Sequence, residues 1–507
     1  MVLAITSLSF LLFIFVTFAV YFLVPKRFQW IVLLLASLEF YASFGLRSAI
    51  YILFTACTVY GSVQWMQRLA DRQSLYLKEN GKALSRDEKK AYKSRIQRKR
   101  RSILTATILM NLGVLCVFKY CHFAVDQFNA VAGWFGGGQV NNSFSLIVPL
   151  GISFYTFQSI SYLADVYWER VKPETNFFKT LLFVSFFPQI TQGPISRFDQ
   201  LAPQLYAEHT FSYTNYARGG QRMIWGFMKK MLIADILSTY VQNLFQNYNS
   251  YAGISVLIGA FLYSVQIYAD FSGYMDIMCG FCEGIGITLT ENFERPYFSK
   301  SVAEYWRRWH ISLGAFFKDY VYYPIGVSKW NRKLAQTCKK KFGRKFGDSV
   351  AATVALIVVW GATGLWHGAS WAYIVWGLVN GLFLILSIWL DTTYTRTNYV
   401  SHDEDFNNIK KLLSELNKKT EKNLIKIQEN DKKFEIYSGT QNSINENKGD
   451  KINNKHEIKN EENVNKLAEN CIKDIETNIG EYKIILEEIK NNCNSFNQTN
   501  KILIGNI

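Results

Sequence analysis

The stretch Lys93-Ser94-Arg95-Ile96-Gln97-Arg98-Lys99-Arg100-Arg101, placed directly before the apolar run Ile103 to Val117, decides the fold class. A run of that kind is read as a helix crossing hydrocarbon, and a dense cationic segment abutting it marks the cytoplasmic side by the positive-inside rule. Working outward, further apolar segments fall near Ile5 to Val24, Trp30 to Phe44 and Ile50 to Trp65. If the basic segment from Gln67 to Arg101 is a cytoplasmic loop, alternation puts Lys26 and Arg27 inside and Met1 outside. Both charge clues then agree. Met1 to Val24 carries no positive n-region before its apolar run, so it is expected to remain as a first spanning helix and not to be cleaved as a signal.

Averages conceal this pattern. A mean hydropathy of +0.00 would suit a soluble protein, yet all thirteen tryptophans of the 507 residues lie at or before Trp389. Beyond about Thr392 the chain is dominated by Asn, Lys, Glu and Ile. The formal charge of +16 belongs to the apolar body, because the tail is nearly neutral. Its position beside spanning segments points to a membrane partner and not to nucleic acid. The eight cysteines show no disulfide framework, and Cys279-Gly-Phe-Cys282 has no second pair to complete a zinc site. No metal is expected.

Six more apolar candidates follow: Leu146 to Tyr167, Phe177 to Ile190, Tyr216 to Val241, Ile254 to Met278, Val350 to Leu365 and Trp371 to Leu390. Several carry Pro149, Pro188, Asp235 or Asp270. Broken or re-entrant helices lining a cavity are expected there, because unsatisfied polar groups are costly against lipid. After Asp391 the stripes Phe406, Ile409, Leu413, Leu416 and Ile475, Ile479, Tyr482, Leu486, Ile489 read as amphipathic or coiled-coil helices joined by disordered linker.

Two blocks could carry chemistry. One is Glu304-Tyr305-Trp306-Arg307-Arg308-Trp309-His310, and the other is Gly364-Leu365-Trp366-His367-Gly368-Ala369-Ser370-Trp371. An ionisable residue in a membrane segment is a functional candidate by default, although either histidine alone could serve as a structural hydrogen-bonding group. Glycines beside His367 allow close backbone approach, and tryptophans can wall a dry site suited to a neutral general base. Arg307 and Arg308 could hold phosphates or a carboxylate bidentately. They could equally be a positive-inside anchor, with Trp306 and Trp309 as an interfacial belt. Asp270 and Asp276, six residues apart with Tyr274 between them, cannot share a proton on a helix; one could orient a histidine, or both could pair within the bundle. His122 reads as interfacial, and His209, His402 and His456 lie in polar stretches. There is no G-x-S-x-G, no G-x-x-x-x-G-K-[ST] and no H-E-x-x-H. Serine-hydrolase, nucleotide-driven and zinc-protease readings therefore have no residues to rest on.

Together with Val148 to Gln158, Phe187 to Pro194, Tyr268 to Tyr274, Asn292 to Pro296 and Lys318 to Pro324, these blocks resemble the membrane-bound O-acyltransferase superfamily. The likeness is to the branch of the alginate O-acetylation membrane subunit, over about residues 1–390. It implies an all-α, polytopic membrane helical bundle forming a ring around a tunnel. It also implies His367 as the catalytic histidine, with His310 in the earlier histidine's place; beside them, Trp306, Arg307, Arg308, Asp270 and Tyr274 are the substrate-binding candidates. No bound cofactor is expected; the donor is an acyl thioester, acetyl-CoA or an acyl carrier, and the acceptor an extracytoplasmic glycan, often with an extracytoplasmic acyltransferase partner. Residues 391–507 do not match and read as a polar helical or partly disordered tail, a replacement for terminal helices or a fusion. Two rival readings remain beside the enzyme: a transporter of a glycan or lipid-linked precursor using Asp270, Asp276, His310 and His367 as a polar path, and a membrane scaffold with an inert body.

Overall fold

The computed structural model describes residues 3–143, 146 and 148–390, and these are all-α, with one isolated β-bridge between Phe293 and Trp309. Ser7 opens α1 (Leu8–Leu23) by accepting the Phe10 N–H at 3.2 Å. Helix α2 (Gln29–Ser43) packs against it through Phe10, Phe13 and Phe40. Next come α3 (Leu46–Asn80) and α4 (Arg86–Trp134), an antiparallel pair. It is joined by Ser62–Thr107 at 2.6 Å, by Asn111 donating to Thr58 at 3.1 Å and by stacked Tyr76 and Tyr92.

That pair corrects the expectation of a basic loop from Gln67 to Arg101. The segment is helical on both sides of a short turn at 81–85. Lys, Arg, Glu and Gln are good helix formers. Ser85 also starts α4 with a full capping box, accepting from Glu88 N–H at 3.2 Å while the Glu88 carboxylate accepts from Ser85 N–H at 2.8 Å. The 49 residues of α4 span about 73 Å at 1.5 Å each, well over the ~30 Å of hydrocarbon. Its cationic end therefore extends beyond the bilayer core.

Buried Arg100 on α4 anchors the next helix. It pairs with Glu169 and donates to the Val166 and Tyr167 carbonyls at 3.3 and 3.2 Å, satisfying the C-terminus of α5 (Ile152–Tyr167). Gly151 begins α5 at φ 66°, and a Cβ there would sit 2.1 Å from the Ile190 carbonyl oxygen, so only glycine fits. Helices α6 (Phe177–Ser185), α7 (Phe187–Ile190) and α8 (Phe198–Tyr206) follow. Buried Gln158 donates to Gln189 at 2.8 Å and to the Phe183 carbonyl at 3.0 Å, which offsets the cost of burying an amide.

Helix α9 (Tyr213–Phe227) runs through a π-helical segment, Met228–Ala234, into α10 (Asp235–Gln246), and α11 (Gly253–Gly284) packs beside them. The last part of the body holds α12 (Val302–Arg308), α13 (Ile311–Phe317), a π turn over Lys318–Tyr322 and α14 (Tyr323–Gly326). Helices α15 (Lys329–Phe342), α16 (Arg344–His367) and α17 (Trp371–Leu390) complete it. Among the described residues, α3, α4, α11, α16 and α17 are long and apolar enough to cross a membrane.

Interruptions occur at Pro149 and Pro188, before α5 and between α6 and α7, whereas Asp235 follows the π segment in a run that stays helical from Tyr213 to Gln246 and so does not break it. Asp270 does not interrupt its helix, because α11 is continuous for 32 residues and Lys230 accompanies the carboxylate at 2.6 Å. The tail expected over 391–507 lies outside the described residues.

Candidate active site

His310 occupies the link between α12 and α13. Ser301 caps α12 by accepting from Glu304 N–H at 3.1 Å, and the Glu304 carboxylate accepts from Lys300 N–H at 2.8 Å. That backbone N–H, with Arg308 and Arg307 nearby, holds the Glu304 carboxyl below the usual carboxylate range. After α12 the chain turns at His310 with φ 46° and ψ 53°, left-handed values that cost a non-glycine residue about 1–2 kcal/mol. Hydrogen bonds from a distant segment hold the turn: Glu294 N–H donates to Arg308 C=O at 3.0 Å, and Ile311 N–H to Asn292 C=O at 3.1 Å. The imidazole is 4 % exposed and packs edge-on to Phe271 at 4.8 Å and against Trp366 at 5.8 Å. Neither ring nitrogen has a hydrogen-bond partner among the described residues.

His367 is the last residue of α16. Gly364 lets α17 approach there, since a Cβ on it would lie 2.5 Å from the Tyr373 carbonyl oxygen. The His367 ring meets Trp366 at 4.8 Å and Trp376 at 4.9 Å, and Trp376 in turn touches Trp306 at 5.8 Å. The end of α16 is held from α4: Lys119 donates to the Trp366 carbonyl and Tyr120 to the Leu365 carbonyl, the latter at 2.8 Å. Cations at helix C-termini are favourable, and these two donors satisfy carbonyls that the helix cannot.

The two histidine blocks, 57 residues apart in sequence, meet on one cavity of about 490 Å³. Trp306, Arg307, His310, Trp360 and His367 line it, with apolar Leu356 and Val359 and the ammonium-bearing Lys318. Leu356 to His367 is eleven residues of helix, so the cavity follows α16 for about 16 Å. Such a site can hold a chain-like group between apolar walls, present a carbonyl to two imidazoles and offer cations to an anionic end.

The other candidates lie elsewhere. Arg308 is not on the cavity wall; it pairs with Glu304 at 2.6 Å. Asp270 pairs with Lys230, and Asp276 with Lys229 and with Arg222, the last at 3.0 Å. The Tyr274 hydroxyl is buried against the Thr191 hydroxyl. Asp270 and Asp276 are therefore not on the cavity wall that carries the two histidines. Cys279 and Cys282 are buried free thiols on α11. Sequence reasoning missed Lys119, Asn292, Trp360 and Trp376. Lys119 had a signal, an ammonium at the end of the apolar run on α4; Asn292 opens one of the stretches that carry the resemblance, but its capping role had no signal, because the helix it caps lies up to 20 residues on.

The sequence model of the MBOAT, membrane-bound O-acyltransferase family matches residues 74–338. The chain belongs to that family. This MBOAT chain is 36 % identical over 283 residues to the "Probable alginate O-acetylase AlgI" of Azotobacter vinelandii, covering 56 % of this chain and 53 % of that protein. It is 33 % identical over 303 residues to the "Peptidoglycan O-acetyltransferase" of Helicobacter pylori, covering 55 % and 53 %. It is 28 % identical over 246 residues to the "Teichoic acid D-alanyltransferase" of Bacillus subtilis, covering 47 % and 59 %. The MBOAT chain thus spans about half the length of the curated relatives it matches. The family, its bacterial relatives and the five long apolar helices make it a multi-pass membrane protein of bacterial kinship. The family match includes Arg307 and His310 and stops before His367.

Proposed function

We propose that this MBOAT protein is an O-acyltransferase that moves a small acyl group, acetyl in the first instance, from a cytoplasmic thioester to a hydroxyl of an extracytoplasmic polymer. The observation that carries this reading is the meeting of His310 and His367 on one elongated apolar cavity. The names of the relatives support a polymer acceptor, since they specify alginate, peptidoglycan and teichoic acid. In this scheme the cavity is a section of a tunnel between the donor and acceptor faces, and an extracytoplasmic acyltransferase is a fitting partner for the final glycan modification.

In the transfer, His367 takes the proton of the acceptor hydroxyl as its oxygen attacks the thioester carbonyl. The new C–O bond forms, the C–S bond breaks, and the proton passes from His367 to the departing sulfur, giving ester and free thiol. His310, buried and with neither ring nitrogen hydrogen-bonded among the described residues, stabilises the carbonyl oxygen as it gains charge. The test is an assay in everted vesicles with [¹⁴C]acetyl-CoA outside and a hydroxyl-bearing glycan inside. Base-labile label on the glycan with equimolar thiol release is expected, and vesicles yielding only acetate or no thiol would overturn the reading.

The two arginines should separate in the same assay. Arg307→Gln is expected to raise the donor KM by about 10- to 100-fold, the loss of one charge-assisted hydrogen bond at ~1.5–3 kcal/mol, with the acceptor KM unchanged. Arg308→Gln breaks a partly exposed i,i+4 pair and should change either KM by less than about twofold. Equal effects from the two changes would remove Arg307 from the donor site.

A further inference from the structure

We infer that Asn292 is a positioning residue for His310: it caps α13 from outside the helix, so that the imidazole in the capping position stays available to the cavity. The inference rests on the reading of His310 as part of the acyl-transfer site.

His310 stands where a helix normally places Ser, Thr, Asp or Asn, residues whose side chains turn back to accept the first free N–H groups. Its imidazole makes no such bond. Asn292, which has no exposed surface, does the work from an extended segment 18 residues earlier. Its main-chain carbonyl accepts from Ile311 N–H at 3.1 Å, and its side-chain Oδ1 accepts from Ser312 N–H at 2.9 Å. Leu313 and Gly314 N–H both donate to the His310 carbonyl at 3.1 Å. The Ser312 hydroxyl accepts from Ile195 N–H at 3.0 Å, which ties a third segment to the same turn. Every early donor of the helix is therefore satisfied without the imidazole. Helix α13 also continues without a break through the π turn into α14, so the capped element is longer than its first seven residues.

Removing the Asn292 side chain leaves the Ser312 N–H buried and unpaired, at a cost of about 1–3 kcal/mol. The group in the capping position, the His310 imidazole, can relieve that cost by turning back onto the helix. It would then leave the cavity.

The experiment measures, residue by residue by mass spectrometry, the carbethoxylation rate of histidines in the full-length detergent-purified protein treated with diethyl pyrocarbonate, with His367 as internal reference. Asn292→Ala is expected to slow His310 about fivefold or more, the equivalent of the orphan N–H it captures, while His367 is unchanged. Asn292→Asp keeps the Oδ1 acceptor and should stay within about twofold of the parent. Ser312→Ala, which loses the Ile195 tie but keeps the cap, should also leave His310 reactive. An unchanged His310 rate in Asn292→Ala, a parallel fall at His367, or loss of His310 reactivity in a folded Asn292→Asp protein would each overturn the inference. Turnover gives a second test, because the Asn292→Ala loss should vanish in a His310→Ala background; additive losses would mean a merely structural role. If the parent shows no acyl transfer while the His310 footprint behaves as expected, the functional reading fails and the positioning role stands.

Discussion

Replacing His367 with Ala is expected to reduce acyl transfer by about 10²–10⁴, the usual contribution of a general base, with the protein inserted and abundant. The last carbonyls of α16 are held by Lys119 and Tyr120 and not by the imidazole, so the helix end should survive its removal. The ring contributes packing against Trp366 and Trp376, but those residues also contact Phe157, Trp306 and Trp360. The measurement is initial rate against amount of inserted protein. Parent-like turnover by an equally abundant His367→Ala protein would show that the base lies elsewhere.

Gly364→Ala is the second large effect. The new Cβ would meet backbone, the Tyr373 carbonyl oxygen at 2.5 Å and the Ile374 Cα at 3.1 Å, so no rotamer change can accommodate it. Helix α17 must move away from α16, which costs on the order of 1–3 kcal/mol. Trp376 would carry its contact with His367 along. A displacement of that kind beside a reacting group lowers rate by at least about tenfold. Gly361→Ala on the same helix is the control, because its Cβ would find only Leu378 Cδ2 at 4.0 Å. A lower thermal midpoint and a lower rate are expected for position 364 and neither for 361. Indistinguishable variants would show that the α16–α17 contact is not what fixes His367.

Much of the fold was legible because lipid imposes length and polarity on any segment that crosses it. The basic block before Ile103 announced a spanning helix, and Pro149 and Pro188 announced interruptions in the buried α5–α7 region. Two readings failed for identifiable reasons. The segment Gln67 to Arg101 reads as a loop on charge density alone, but its Lys, Arg, Glu and Gln favour helix and the Ser85–Glu88 box starts one. Asp270 looked like a break because an unpaired carboxylate is costly in an apolar helix, but its partner Lys230 sits 40 residues earlier, and no local pattern predicts that pairing.

The candidate site divides the same way. Ionisable residues in Trp-rich blocks could be singled out one at a time, and His310, His367, Trp306 and Arg307 do line one cavity. What brings them together is tertiary: the tryptophan contacts linking α12, α16 and α17, and the left-handed turn braced by Asn292. Arg308 was inseparable from Arg307 in sequence, and only the helical phase that turns it to Glu304 tells them apart.

Photolabelling decides whether the cavity between His310 and His367 receives the acyl end of a thioester donor. The probe is a non-hydrolysable thioether analogue of acetyl-CoA with a diazirine on its acyl end, applied to the full-length protein and followed by peptide mapping. Label is expected on Trp306, Leu356, Val359 or Trp360, removed by excess acetyl-CoA. Competable label confined to residues away from that cavity, such as the Asp270–Lys230 region, would contradict it.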